Sequence, residues 1–382
     1  MIYLDNSATT SKKPSSVVKS FNKAIKKYSF NPGRGGHEGS IKTGIKVSET
    51  REAIADFFNS ENPEGVIFTT NCTSALNIAI LGTIKKEGHI VTTYQEHNSV
   101  LRTLSFAKKQ YGVSFSIAYP ERKFLSQLTT KDILKKVKTN TYLIIINQTS
   151  NVTGNTIELE EIGKFCHKNK ILFLVESAQS AGHENIDMCK QHINLLAVAG
   201  HKGLYGPQGI GALVTRKTKL NPIFFGGTGT NSNSTTQPNS LPDGFESGTL
   251  PTPNIIALKS GIDFVSKNFE SINYKMEKLT TKLINGLNSM ENIILYSHNK
   301  KSGVVSFNVN GIDSTDVGNI LNEKFNIYVR CGLHCAPLVH RKFNTISRGM
   351  VRVSLSYFNS AKEMRKFLKA IRWVVKNYPQ KL

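Results

Sequence analysis

The chain has 382 residues, 39% hydrophobic and 20% charged, with a formal net charge of +22, which describes a globular protein large enough for more than one core. No apolar run approaches the roughly 20 residues that span a bilayer, and the opening "MIYLDNSATT" lacks the basic and apolar segments of a signal peptide, so no membrane partner and a cytoplasmic location are expected. The five cysteines (Cys72, Cys166, Cys189, Cys331, Cys335) are scattered and odd in number, which excludes a disulfide framework and fits a reducing compartment.

The excess of lysine would suit an acidic protein or RNA, and residues 255–382 hold 20 Lys/Arg against 8 Asp/Glu. The lysines are dispersed and no RNA-binding signature accompanies them, so they read as a solvated surface and nucleic acid is not expected as a partner. Cys331 and Cys335 are the only close cysteine pair. They lack the second Cys/His pair of a zinc site, so no metal is expected.

In chain order, seven short apolar runs read as strands: "GVIFTT" (65–70), "HIVTTY" (89–94), "VSFSIAY" (113–119), "TYLIII" (141–146), "ILFLVE" (171–176), "NLLAVA" (194–199) and "GIGALVT" (209–215). Helical patterns at 73–86, 98–111, 129–138 and 158–169 alternate with them. Such alternation builds βαβ crossovers and a mainly parallel sheet. Residues 226–254 form a long polar excursion rich in Gly, Pro, Ser, Thr and Asn. A long helical pattern follows at 253–290. Then comes a smaller α+β unit: strand "GVVSFNV", helix 313–325, strands "IYVRCG" and "MVRVSLS", and helix 360–377.

In parallel sheets ligands sit beyond the carboxyl ends of the strands, and the informative residues lie there. After "VIFTT" comes "NCTSALN", a helix start suited to phosphate, although Thr73 taken alone is an ordinary N-cap. His97 in "QEHNS" and Asn151 in "NQTSNVTG" are, singly, a structural histidine and a turn residue. Glu176 and Gln179 in "ESAQSAGH" follow a buried run, where a carboxylate needs a cationic or N–H partner. Lys202 in "AVAGHKGLYGPQGIGALV" stands at another strand end, where a lysine must pair or do chemistry. A carboxylate, a lysine, an imidazole and a phosphate-type helix start on one crevice are what pyridoxal phosphate requires.

The order of these motifs resembles the pyridoxal-phosphate enzymes of aminotransferase class V, and within them the cysteine desulfurase group. The resemblance runs from "YLDNSATT" (3–10) to "VRVSLSYFN" (351–359), with "AGHKGLYGPQGIGAL" and "RCGLHCAP" its most specific stretches. It implies an α/β architecture, the fold type I transferase fold. A large domain (15–255) would carry a mainly parallel seven-stranded sheet with helices on both faces. Residues 1–14 and 256–382 would form a small α+β domain bearing the Cys335 loop.

The resemblance also implies roles. Lys202 would carry the cofactor as a Schiff base, and His97 would stack on its ring and help move protons. Glu176 would pair with the ring nitrogen, and Gln179 with the phenolic oxygen. Cys72 (through its backbone), Thr73 and His201 would hold the phosphate, and Thr249 would reach the phosphate of the other subunit of a homodimer. Asn151 and Arg352 would grip the substrate carboxylate, with Ala8 and His37 also at the substrate. Cys335 would be the nucleophile, with His334 and Arg330 as basic neighbours that favour its thiolate. Cys331 could be structural, form a reversible disulfide or receive sulfur from Cys335.

The implied reaction converts L-cysteine to L-alanine with a persulfide on Cys335, passed to an acceptor protein. Three positions depart from the family pattern: Glu176 stands for Asp, Ala199 for Ser and Gln148 for His. Alternatives are a selenocysteine lyase acting on L-selenocysteine, another class V enzyme with C–S lyase or aminotransferase activity, and a non-catalytic scaffold that binds RNA or protein.

Overall fold

The computed structural model describes residues 1–32, 35–121 and 127–378. The chain opens on a short strand, β1 (Ile2–Tyr3), and two helices, α1 (Ser15–Lys27) and α2 (Glu38–Phe57). Then β2 (Val66–Thr69), α3 (Cys72–Gly82), β3 (His89–Thr93), α4 (Asn98–Tyr111), β4 (Ser114–Ala118), α5 (Thr130–Leu134), β5 (Thr141–Asn147), α6 (Glu160–Lys168), β6 (Leu172–Glu176), β7 (Leu195–Ala199) and β8 (Gly211–Thr215) follow. The long helix α7 (Thr252–Asn288) leads into β9 (Ile293–Leu295), β10 (Val304–Val309), α8 (Ser314–Phe325), β11 (Ile327–Tyr328), β12 (Arg330–Gly332), α9 (Pro337–Lys342), β13 (Met350–Ser354) and α10 (Ala361–Asn377).

All seven apolar runs expected as strands pair into one sheet, ordered β2-β8-β7-β6-β5-β3-β4. β8 runs antiparallel to β2 and β7, and the other pairs are parallel. β2, β3, β5, β6 and β7 therefore all end on the same edge. These strands read as continuous apolar runs because both faces are covered. Along β5, Leu143 and Ile145 enter one core while Ile144 and Ile146 enter the other. Each such buried side chain contributes about 1.5–3 kcal/mol, which outweighs local propensity.

The second sheet is antiparallel, ordered β12-β13-β10-β9, and β1 pairs with β11 beside it. Helix α7 serves both cores. Ile255, Leu258 and Ile262 pack with the large sheet, and Val265, Ile272, Met276 and Leu283 with the small one. A side chain at Gly261 would collide with the Leu204 carbonyl, so this glycine lets α7 approach the turn after Lys202.

Three helices, α1, α2 and the short α9, lie outside the elements expected from sequence. Helix α2 carries Gly39 and Gly44, and Ile41 and Ile45 on its exposed side, so its apolar stripe is blurred. The helix expected at 129–138 is only Thr130–Leu134, begun by a Thr129–Asp132 capping box. The helix expected to reach 86 stops at Gly82, whose carbonyl accepts from the Asn221 N–H at 2.8 Å.

Residues 226–251 hold one short 3₁₀ turn, Asp243–Phe245. A buried ion pair fixes this segment. Arg51 Nη1 and Nη2 meet Glu246 Oε1 and Oε2 at 2.8 and 2.5 Å, and the two side chains are 11% and 5% exposed. Glu246 Oε1 also accepts from the Phe68 N–H at 2.6 Å, and the guanidinium lies 4.5 Å over the Phe68 ring. One clamp thus joins α2, β2 and the polar excursion. Arg51→Met leaves Glu246 buried without its cation and is expected to cost about 3 kcal/mol in urea unfolding. The double variant Arg51→Met/Glu246→Gln should lose less than that single change.

Candidate active site

The common edge of β2, β3, β5, β6 and β7 opens on one pocket. It is lined by Asn71, Cys72, Thr73, His97, Ser99, Asn151, Glu176, Ala178, Gln179, Ala199, His201 and Lys202. Of the residues given a site role in the sequence, Cys72, Thr73, His97, Asn151, Glu176, Gln179, His201 and Lys202 meet there.

Two helix N-termini point at the pocket. Asn71 caps α3, its Oδ1 accepting from the Ser74 N–H at 3.0 Å, so the first-turn N–H groups of Cys72 and Thr73 remain for an anion. His97 caps α4 and is not a free imidazole. Its Nδ1 accepts from the Ser99 N–H at 3.1 Å and lies 2.8 Å from Ser99 Oγ. With Nδ1 accepting, the neutral ring carries its hydrogen on Nε2. Burial, then the positive charges of Lys202, Arg330, Arg102 and Arg352, lower its pKa to about 4. His201 is likewise lowered to about 4, by burial and then by Lys202 and Lys13.

Glu176 and Lys202 stand at the ends of β6 and β7. Burial raises the Glu176 pKa while Lys202 opposes the rise. Burial lowers the Lys202 pKa while Glu176 opposes the fall. Each group thus holds the other's charge in a dry site. Glu176 Oε1 accepts from the Ala178 N–H at 2.7 Å and lies 3.9 Å from Cys72 Sγ. Gln179 Nε2 donates to the Ser7 carbonyl at 3.0 Å, which ties the N-terminal loop, and Ala8 beside it, to the pocket wall.

The small sheet supplies the rim. Arg352, on β13, is 1% exposed. Its Nη2 meets Asp5 Oδ1 at 2.6 Å and its Nη1 donates to the Asn151 carbonyl at 3.0 Å, while its Nε has no partner. Asn151 Nδ2 donates to the His334 carbonyl at 2.6 Å, and the Asn98 N–H donates to the Cys335 carbonyl at 2.7 Å. The loop carrying Cys335 is thereby docked on α4 and on the turn after β5, with the cysteine exposed. His334 and Cys335 adopt φ of 48° and 57°, two successive left-handed residues that are not glycine. Such conformations are costly and cluster at functional sites.

Several expectations change. His334 is not a cation: burial pushes its pKa well below the usual value, and its Nε2 lies 3.1 Å from the Met350 carbonyl. It cannot favour a thiolate by charge. Cys331 has its pKa raised to about 12 by burial, and its Sγ packs where a Cβ at Gly318 would come within 2.5 Å. Its position favours the structural reading over a disulfide or sulfur-accepting role. His37 is exposed and caps α2, its Nδ1 accepting from the Ser40 N–H at 3.3 Å, away from the pocket. Thr249 lies in a separate cavity of about 480 Å³, beside Gly44, Ser48, Arg51 and Gly227. Ala199 lines the pocket without a hydroxyl, and Gln148 is buried one residue after β5 with Oε1 unpartnered.

Asp5, Asn71 and Ser99 were not singled out in the sequence. Asp5 lies within the quoted "YLDNSATT", but nothing local ties it to an arginine 347 residues away. Ser99 follows His97 by two, the spacing of a cap, which was the available signal.

The aminotransferase class-V family model matches residues 2–367 of the chain. A probable cysteine desulfurase of Pyrococcus abyssi (strain GE5 / Orsay) is 34% identical over 393 aligned positions, covering 99% of this chain and 95% of the relative. One from Methanothermobacter thermautotrophicus is 31% identical, covering 95% and 92%. Among solved structures, the apo cysteine desulfurase from Thermococcus onnurineus NA1 superposes with a TM-score of 0.90 at 34% identity, covering 98% of this chain and 94% of that one.

Behind the pocket, Glu96 is buried, its Oε1 accepting from Thr93 Oγ1 at 2.7 Å and the Asn147 N–H at 3.1 Å. Burial raises its pKa from 4.5 to about 8. The folded state therefore keeps a proton that the unfolded chain releases, and stability from this group falls as pH rises through that window. Glu96→Gln keeps both accepted hydrogen bonds. Urea unfolding at pH values below, inside and above the window should show a smaller alkaline loss in this variant than in the unmodified chain.

Proposed function

The chain belongs to the aminotransferase class-V family, and from that premise we propose that it is a pyridoxal-phosphate-dependent cysteine desulfurase. It converts L-cysteine to L-alanine and leaves a persulfide on Cys335 for an acceptor protein. The observation that carries this reading is the docking of the Cys335 loop. Asn98 N–H to Cys335 carbonyl at 2.7 Å and Asn151 Nδ2 to His334 carbonyl at 2.6 Å hold the loop that carries the exposed Cys335 against the segments that supply His97 and Asn151 to the pocket.

The residues present fit the cofactor. The first turn of α3, Thr73 and His201 offer donors to a phosphate. Both donors on Glu176 reach Oε1, which leaves Oε2 for a protonated ring nitrogen. Lys202 supplies the amine that holds the aldehyde, Gln179 suits the phenolic oxygen, and the neutral His97 ring can lie against the pyridine. When bound, the cofactor supplies an electron sink conjugated to the substrate Cα.

The chain's own groups do the rest. The unpartnered Nε–H of Arg352 and the Asn151 side chain receive the substrate carboxylate. Lys202 Nζ, whose pKa burial lowers, takes the proton from Cα. The Cys335 thiolate attacks the substrate sulfur. An S–S bond forms and the Cβ–S bond breaks; the electron pair left at Cβ takes up a proton, and Lys202 Nζ returns its proton to Cα, which gives alanine. Thr249 serves the pocket of a second copy in a homodimer, since within one chain it lies in a different cavity. Exposed Ile45 and Phe225 sit on the segments that line or flank that cavity, as an interface would require.

Incubation with pyridoxal phosphate and L-cysteine should yield alanine, and mass spectrometry should find one extra sulfur on Cys335. Cys335→Ala should abolish alanine formation while keeping the visible absorbance of the bound cofactor, and Lys202→Ala should lose both. Turnover of L-selenocysteine but not L-cysteine would instead favour the lyase.

A further inference from the structure

A second thiol lies inside the pocket, and the proposed function uses only its backbone. Cys72 opens α3, is buried, and places Sγ 3.9 Å from Glu176 Oε1. The Ala178 N–H donates to the same oxygen at 2.7 Å. The thiol is a donor here and not a nucleophile: burial and the Glu176 charge raise its pKa well above the ordinary value, so it keeps its hydrogen.

Glu176 has one more rotatable bond than an aspartate at the same place, so its carboxylate can swing. Ala178 and Cys72 come from different elements, one just after β6 and the other at the start of α3, and both aim at one oxygen. We propose that Cys72 is a positioning residue, whose S–H pins Glu176 Oε1 together with the Ala178 N–H and so presents Oε2 to the cofactor's ring nitrogen. The proposal rests on the proposed function only for the identity of that ring. An aspartate, one methylene shorter, would draw the carboxylate back toward β6 and out of reach of Sγ. Cys72 therefore matters with glutamate at 176 and becomes dispensable with aspartate.

A double-mutant cycle tests this. Pyridoxal phosphate is titrated into the apo protein and its dissociation constant read by fluorescence. Cys72→Ala should weaken binding about tenfold beside Glu176, the effect of one hydrogen bond to a charged group. It should change binding less than about twofold beside Glu176→Asp. Cys72→Ser, which restores a donor, should recover most of the loss. An equal loss in both backgrounds, or none beside Glu176, overturns the proposal. A second readout needs no cofactor. In the infrared difference spectrum between the unmodified apo protein and Cys72→Ala, the S–H stretch should be displaced as for a hydrogen-bonded thiol. It should return to the free position in Glu176→Ala, and a band indifferent to that change also overturns the proposal. Failure of the unmodified protein to bind pyridoxal phosphate would sink the proposed function, while the infrared result would still decide the thiol contact.

Discussion

The site depends on two opposite charges kept out of water at the ends of neighbouring strands. Burial pushes Glu176 toward its acid and Lys202 toward its free amine, and each resists the other's neutralisation. Neither charge would be stable alone in that environment. The balance leaves an amine that can release its proton and a carboxylate that can still pair with a cationic donor. Chain topology makes this possible, because β6 and β7 are parallel neighbours that end on one edge.

The surrounding polar groups preserve that balance without adding charge. His97, His201 and His334 all have lowered pKa values, so the imidazoles beside the pocket are neutral near pH 7. The buried guanidinium of Arg352 is offset by Asp5. What remains is a pocket with one amine, one carboxylate and the N-terminus of α3, with the loop that carries Cys335 docked on its wall residue Asn151. The backbone of that loop, left-handed at His334 and Cys335, is held by hydrogen bonds from Asn98 and Asn151. The thiol is thus positioned by its carbonyl while its side chain stays exposed.

The two sheets contribute unequally to the chemistry. The parallel sheet orders five loops along one edge, and the antiparallel sheet brings Arg352 and, through β12, the Cys335 loop to them. Helix α7 belongs to both cores and the β13 backbone pairs with the N-terminal segment at Leu4 and Asp5, so the rim is tied to the pocket at two places.

Much of this was legible in the sequence. Doubly buried strands are continuous apolar runs, and in a parallel sheet the residues just after them must converge, so Thr73, His97, Asn151, Glu176 and Lys202 could be grouped before any coordinates. Helix α2 was not legible, because its outward Ile41 and Ile45 hide the periodicity. The role of His37 was not either, since a cap and a ligand can use the same side chain. Charge states lay beyond the sequence altogether: His334 reads as basic until its burial is known. The packing of Cys331 Sγ against Gly318 of α8 was likewise not visible in the sequence. Sequence order alone determined which residues leave which strand, because neighbours along a chain stay neighbours. Only the tertiary structure decided that Asp5 meets Arg352, that Cys335 rests on Asn98, and which groups are charged, because those depend on contacts between distant segments and on the water they exclude.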